Sequence, residues 1–128
     1  MVDTTWYQAL LWAVFAVSPI VLLALLFMPA PYGRHAERTF GPTMPTRTAW
    51  VVMESPSVFL FVAVFALSPR SLAPVPLILL AMWQAHYVQR TLIYPFLLRT
   101  GGKGGRTAVA ICAMGFTFNC ANATLNAA

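Results

Sequence analysis

The sequence predicts an all-α integral membrane protein of four transmembrane helices with its N-terminus outside. Three observations lead there. Of the 128 residues, 59% are hydrophobic and only 9% are charged, where a soluble domain of this size carries about a quarter charged residues. Mean hydropathy is +0.72, so the chain cannot cover itself with polar surface and lipid is its natural solvent. The net charge of +5 sits mostly in loops between apolar runs, which is the pattern of membrane topology and not of a nucleic-acid surface.

The apolar runs define the elements, since a spanning helix needs roughly 20 such residues. The first runs from about 5 to 28 and stops at Pro29-Ala30-Pro31-Tyr32-Gly33, a helix-breaking cluster. Asp3 is the only charge before Arg34, so the segment lacks the basic start of a signal peptide and is expected to remain as a helix. A polar, Pro-rich loop follows to Arg47. The second helix runs from about 48 to 67 and ends at Ser68-Pro69-Arg70. The third spans about 72–98, with several polar residues in its second half. A flexible basic loop, Arg99 to Arg106, leads to the fourth helix, about 107–128. No internal repeat or second domain is visible, and the chain reads as a single membrane domain.

The cations orient this bundle. Loop 29–47 holds Arg34, Arg38 and Arg47; loop 99–106 holds Arg99, Lys103 and Arg106; the opposite side has Arg70 alone. Cytoplasmic loops carry the excess of Lys and Arg, so loops 29–47 and 99–106 are expected in the cytoplasm. The composition fits either a bacterial inner membrane or the endoplasmic reticulum. The last helix reaches Ala128 without a flanking charge, from which we expect the natural chain to continue.

Glu54 is the foremost candidate for chemistry. It lies about six residues, roughly 10 Å, inside the second helix. A carboxylate at that depth must be protonated, paired or in a polar cavity; the alternative to a functional role is a structural hydrogen bond to a neighbouring helix. Pro56 frees the carbonyl of Val52 beside it and can kink the helix. On the third helix, at 100° per residue from His86, Arg90 falls at about 40°, Trp83 at about 60°, Tyr94 at about 80° and Tyr87 at about 100°. This face is expected to line the bundle interior, the alternative being an interfacial aromatic and basic belt. On the fourth helix Gly115, Asn119, Asn122 and Asn126 share a narrow face, either as interhelical glue or as a polar binding surface. Asn122-Ala-Thr124 matches a glycosylation sequon, but inside an apolar run it is discounted. Cys112 and Cys120, with no CxxC and no histidine nearby, read as packing residues, so no metal site is expected. Lys103 among its glycines is not a P-loop, yet exposed amides and three cations could hold a phosphate-bearing ligand; a loop that only sets topology is the other reading.

Three stretches together resemble the steroid 5α-reductase family: Pro31-Tyr-Gly-Arg-His35, Ala49-Trp-Val-Val-Met-Glu-Ser-Pro56 and His86-Tyr-Val-Gln-Arg-Thr-Leu-Ile-Tyr-Pro95. The last is similar to the family's His-Tyr-x-x-Arg-Thr-x-x-Tyr signature. Asn122-Ala-Thr-Leu-Asn126 is a weaker match. The resemblance covers the N-terminal half of a seven-helix reductase about twice this length. It implies NADPH-dependent reduction of the C4–C5 double bond of 3-oxo-Δ4-steroids or similar lipophilic enones, with Glu54 and Tyr87 hydrogen-bonding the C3 ketone. A neutral Glu54 would donate, and burial favours that form. Donors fixed in a dry cavity would stabilise the enolate formed as hydride arrives. Substrate contacts are then expected at Trp50, Met53, Trp83 and Asn122; some members of the family have Gln where Met53 stands. Cofactor contacts are expected at Arg90, Tyr94, Arg99, Lys103 and Arg106, with Arg90 and Tyr94 alternatively bracing the Glu54–Tyr87 pair. The expected partners are membrane lipid, a steroid or sterol-like enone and a missing C-terminal half, without nucleic acid, and the 128 residues alone are expected to be inactive or very weak. Two other classes fit the composition: a small four-helix proton-coupled multidrug transporter working through Glu54, against which the charge bias argues, and a non-catalytic membrane fragment that assembles with a partner. Related enoyl-CoA and polyprenol reductases are the alternatives among enzymes.

Overall fold

The structure is a computed structural model, and residues 4–27, 41–69, 72–99 and 105–128 are described. The sequence between positions 28 and 40, with Arg34 and Arg38, and Arg70 and Lys103 lie outside the described residues. The chain divides into two compact units, Met1–Ala30 and Pro31–Ala128.

The first unit is one helix, α1 (Thr4–Phe27), with no buried residue. At 24 residues and about 1.5 Å per residue it is some 36 Å long, enough for a hydrocarbon core of about 30 Å. Pro19 lies inside it. The preceding Ser18 hydroxyl donates to the carbonyl of Val14 at 2.7 Å.

The second unit opens with a short strand, β1 (Thr43–Pro45), that runs straight into α2 (Thr46–Leu67). After a turn come α3 (Pro74–Val88), a π-helical turn (Gln89–Ile93) and a short α4 (Tyr94–Leu97). Pro74 and Pro76 begin α3 where their missing amides cost nothing. A second strand, β2 (Arg106–Ala108), leads into α5 (Val109–Ala127). β1 and β2 pair antiparallel with Thr43 opposite Ala108 and Pro45 opposite Arg106. The four apolar runs are thus helical, and α1 and α2 are long and apolar enough to cross a membrane. The two-stranded ribbon was not expected. Its strands are three residues each, too short to show a period, and they lie in segments read as loop and helix start.

Contacts fix the packing of α2. Ala49 meets Cys112, Ser57 meets Asn119 and Ser68 meets Ala128, so α5 runs parallel to α2. Arg47 meets Leu98, Glu54 meets Arg90 and Ser57 meets Trp83, so the third helical segment runs antiparallel to it. The α2–α5 seam is lined by small residues: Ala49 and Ala123 are fully buried, which lets the backbones approach. Gly115 belongs to the same seam, for a Cβ there would overlap Sδ and Cγ of Met53.

The polarity of this unit is reversed from that of a water-soluble bundle. Thr46, Glu54, Ser57, Thr91, Thr107 and Asn119 are buried, while Val52, Phe59, Val62, Ile78, Leu79, Met82, Met114 and Phe118 are exposed. Polar side chains turn inward where apolar groups face lipid, because a polar group in hydrocarbon must find its partner within the protein.

Candidate functional site

α2 carries Glu54 to the middle of this polar interior. Its side chain is 5% exposed, and Arg90 Nε donates to Oε1 at 2.8 Å in an ion pair. At Oε1 the Glu54 carboxyl accepts from this cation. The sequence placed both residues inward on adjacent helices and left Arg90 between facing the cofactor and bracing the Glu54–Tyr87 pair; Arg90 is on Glu54, and helix angles alone do not tell which group a long side chain will reach. The Arg90 guanidinium also lies over the Trp50 ring, 4.7 Å from its centroid, a cation–π contact. The edge of Tyr94 packs against Trp50 with centroids 5.3 Å apart.

Around Glu54, side chains from both neighbouring helices bind the main-chain carbonyls of α2. Asn119 Nδ2 donates to Met53 O at 2.8 Å, Trp83 Nε1 to Ser57 O at 2.8 Å, Gln84 Nε2 to Val58 O at 3.2 Å and Thr91 Oγ1 to Glu54 O at 3.5 Å. Pro56 explains part of this. It has no amide for the carbonyl of Val52, and the Ser55 hydroxyl takes that carbonyl at 2.8 Å. α2 therefore stays one continuous helix through Pro56, held from both neighbouring helical segments at the turn that presents Glu54.

The aromatic face is ordered as a ladder. Phe61 stacks on Trp83 with centroids 4.4 Å apart, Trp83 packs tilted against Tyr87 at 4.6 Å, and His86 meets Tyr87 edge-on at 5.0 Å. Tyr87 lies between Trp83, anchored at Ser57, and Arg90, anchored at Glu54. His86 and Tyr94, expected in the interior, are exposed. The buried face centres instead on Thr91 and the half-buried Gln84, which at 100° per residue fall at about 140° and 160° from His86. Reading the face from its large, chemically conspicuous residues misplaced its centre, since small polar groups are what allow close helix approach. The π turn, with its wider hydrogen-bond step, then alters the angular register after Gln89.

The other expected contacts divide. Met53 lies against Gly115 of α5. Trp83 gives its indole N–H to the protein itself. Asn122 accepts from Asn126 through both its main-chain and side-chain oxygens, at 2.8 and 3.0 Å. Asn119, which the sequence reading kept as a possible glue residue, is the asparagine that bridges α5 to α2, accepting from Ser57 Oγ at 3.0 Å. Its spacing with Gly115 was the available signal. At the ribbon end Arg106 binds Thr43 through Nε and Nη2, each at 2.7 Å, Arg47 reaches Leu98 O at 3.4 Å, and Arg99 is exposed. Cys112 is buried with its thiol 3.5 Å from Ala49 O.

No family model matches the chain. It is 38% identical over 129 residues to steroid 5-alpha-reductase DET2 of Arabidopsis thaliana, an alignment spanning 98% of this chain and 49% of that protein. The chain is a homologue of the steroid 5α-reductases. The 3-oxo-5-alpha-steroid 4-dehydrogenase 1 of Macaca fascicularis is 44% identical over 90 residues, 69% of this chain and 34% of that relative. The 3-oxo-5-alpha-steroid 4-dehydrogenase 2 of Rattus norvegicus is 43% identical over 81 residues, 61% of this chain and 32% of its own length. The chain spans about half the length of the longest-aligned of these relatives. Residues Trp50, Glu54, Tyr87, Arg90 and Tyr94 are thus candidate site residues of an oxidoreductase family, and all five lie in the helical unit whose interior is polar.

Proposed function

We propose that this chain forms the carbonyl-binding portion of a membrane reductase that saturates the C4–C5 double bond of 3-oxo-Δ4-steroids or similar lipophilic enones. The observation that carries the reading is a buried carboxylate, Glu54, ion-paired to Arg90, which lies three residues after Tyr87 on the same helical segment, in a bundle that otherwise presents apolar groups outward. A lipophilic ketone partitions into the bilayer and needs polar partners only at its oxygen, and a polar interior flanked by lipid offers that combination.

The chemistry follows from charge flow. Addition of hydride at C5 of an enone moves negative charge to the C3 oxygen. Groups fixed in advance around that oxygen stabilise the enolate without reorganising as it forms. Tyr87 donates its hydroxyl to the oxygen, and Glu54 sets the charge balance of the site. The hydrogen bonds to the carbonyls of Met53, Ser57 and Val58 hold α2 in place, so that the carboxyl keeps its position as charge develops.

A nicotinamide dinucleotide supplies the hydride when bound. The donor set suits its phosphates in charge: Arg99 and Arg106 flank the 100–104 segment at the ribbon end and both are exposed, Arg106 being held there by Thr43 through Nε and Nη2. Arg90 and Tyr94 are engaged with Glu54 and Trp50 and are less suited to that role. In the bilayer we place four spans, α1, α2, the segment from α3 to α4, and α5, with the ribbon end and loops 29–47 and 99–106 on the cytoplasmic side.

The test is reduction of a 3-oxo-Δ4-steroid by membranes containing the natural protein, followed by product mass with NADPH as donor. Tyr87→Phe should lower turnover about 100-fold or more, the magnitude of removing one donor from an oxyanion site, and Glu54→Gln, which removes the charge of the Arg90 pair, should lower it as well. Full turnover in both variants removes the proposed site.

A further inference from the structure

We infer that Pro95 is a positioning residue of the Glu54 cluster. It enforces the π turn at Gln89–Ile93, and that turn carries Tyr94 outward onto Trp50, the ring on which the Arg90 guanidinium lies. Its effect on turnover rests on the reading that this cluster holds an enone; the positioning itself does not.

The cause is a missing donor. In a regular helix the amide of residue 95 would donate to Thr91 O. Pro95 has no amide, and its ring would collide with that carbonyl. The backbone takes a wider step instead: the Tyr94 N–H donates to Gln89 O, five residues back. Pro95 then stands in the first turn of α4, where a missing amide costs nothing. Thr91 and Pro95 are both fully buried, so the turn lies within the packed seam. There the Thr91 hydroxyl reaches Glu54 O at 3.5 Å.

A π turn acts on register as one extra residue, and the burial pattern shows it. Counted at 100° per residue from His86, Tyr94 falls at about 80° and Pro95 at about 180°. Trp83 and Tyr87, to either side of 80°, are half-buried, yet Tyr94 is 36% exposed. Leu77, also at about 180°, is exposed, yet Pro95 is fully buried. Taking one residue out of the count moves Tyr94 to about 340° and Pro95 to about 80°. Tyr94 then joins the exposed Met82, at about 320°, and Pro95 joins the inward face.

The exchange serves the cluster. A compact ring enters the seam in place of a phenol, and the phenol packs edge-on against Trp50 with centroids 5.3 Å apart. Trp50 in turn lies 4.7 Å from the Arg90 guanidinium, whose Nε donates to Glu54 at 2.8 Å. Beyond the turn, Leu98 O accepts from Arg47 at 3.4 Å, so the rotated piece is tied to α2 as well.

The experiment is a double-mutant cycle between Trp50→Leu and Tyr94→Leu, read by SDS-driven unfolding of the natural protein in mixed micelles. It is run in wild type, in Pro95→Ala, and in Pro95→Ala with Leu92 deleted. Pro95→Ala restores the amide and removes the ring, so the segment closes to a regular helix and the Trp50–Tyr94 coupling is lost. Deleting Leu92 as well takes out the extra residue, so Tyr94 keeps its wild-type angle and the coupling returns. Leu92 is exposed, and its loss opens no cavity. Turnover of a 3-oxo-Δ4-steroid follows the same order. It falls about tenfold or more in Pro95→Ala, as for a small misplacement near reacting groups, and recovers in the combined variant. A proline with a merely structural role does not predict that losing a residue repairs the site. Coupling that persists in Pro95→Ala, or that fails to return in the combined variant, overturns the inference. If Pro95→Ala unfolds too readily for the cycle, a combined variant no more stable than Pro95→Ala overturns it too. Unchanged turnover in Pro95→Ala beside an active wild type removes the role in the site. Coupling that follows the expected order in a protein that reduces no such steroid removes the enone reading and leaves the positioning role standing.

Discussion

Replacing Asn119 by alanine is the most direct probe of how the bundle holds Glu54 in place. The carboxamide makes two interhelical bonds, accepting from Ser57 Oγ at 3.0 Å and donating to Met53 O at 2.8 Å, and the residue is buried. Interhelical side-chain hydrogen bonds in membranes contribute about 0.6 kcal/mol on average and at most about 1.7 kcal/mol. Two of them together are worth about 1–3 kcal/mol. Ser57 has a fallback, since a helical serine can donate to the carbonyl four residues back, which here is the Met53 oxygen that Asn119 vacates. That compensation brings the expected loss for Asn119→Ala to about 1–2 kcal/mol. It also implies that Asn119→Ala with Ser57→Ala loses more than Asn119→Ala alone. SDS-driven unfolding in mixed micelles, followed by tryptophan fluorescence, measures both. Trp83 reports directly, because its indole N–H sits on Ser57 O. Asn119→Ala unfolding within about 0.3 kcal/mol of wild type would refute the view that this amide ties α5 to α2.

Gly115→Ala should destabilise the bundle by about 1–3 kcal/mol, because its Cβ overlaps the Met53 side chain; adding Met53→Ala should recover much of that loss, and the unfolding midpoints of the single and double variants check it. Trp83→Phe keeps an aromatic ring on Phe61 but drops the bond to Ser57 O, for a cost of about 1 kcal/mol in the same assay. Arg90→Ala strands the buried Glu54 carboxyl, and with the arginine partly solvated we expect a loss of about 1–3 kcal/mol. The double variant Arg90→Ala with Glu54→Leu should be no less stable than Arg90→Ala alone, and a thermal melt in detergent decides.

Several features were legible before any coordinates. The inventory of helices follows from hydropathy, because hydrocarbon admits only segments that satisfy their own backbone. Glu54 stood out for the same reason, as one of 3 acidic residues in the chain and the one placed deep in an apolar run. The pairing of Gly115 with Asn119 could be read from spacing on one helix face. The resemblance to steroid 5α-reductases, carried by the His86–Pro95 stretch, matches the relatives found.

Tertiary structure alone decided who meets whom. A sequence gives the angle of a side chain about its own helix but not the neighbour across the seam, so the choice for Arg90 between a cofactor and the Glu54–Tyr87 pair stayed open until it was found on Glu54. The face angle of α3 was misread because Thr91 and Gln84, small or unremarkable in sequence, set the contact surface. The ribbon of β1 and β2 formed from two three-residue pieces 63 positions apart, below any period a sequence can display. What the sequence by itself determined is therefore the solvent, the helices and the odd acid among them. Partnership across the bundle belongs to packing, because hydrogen bonds and ion pairs are fixed by distances of a few tenths of an ångström that only the assembled helices define.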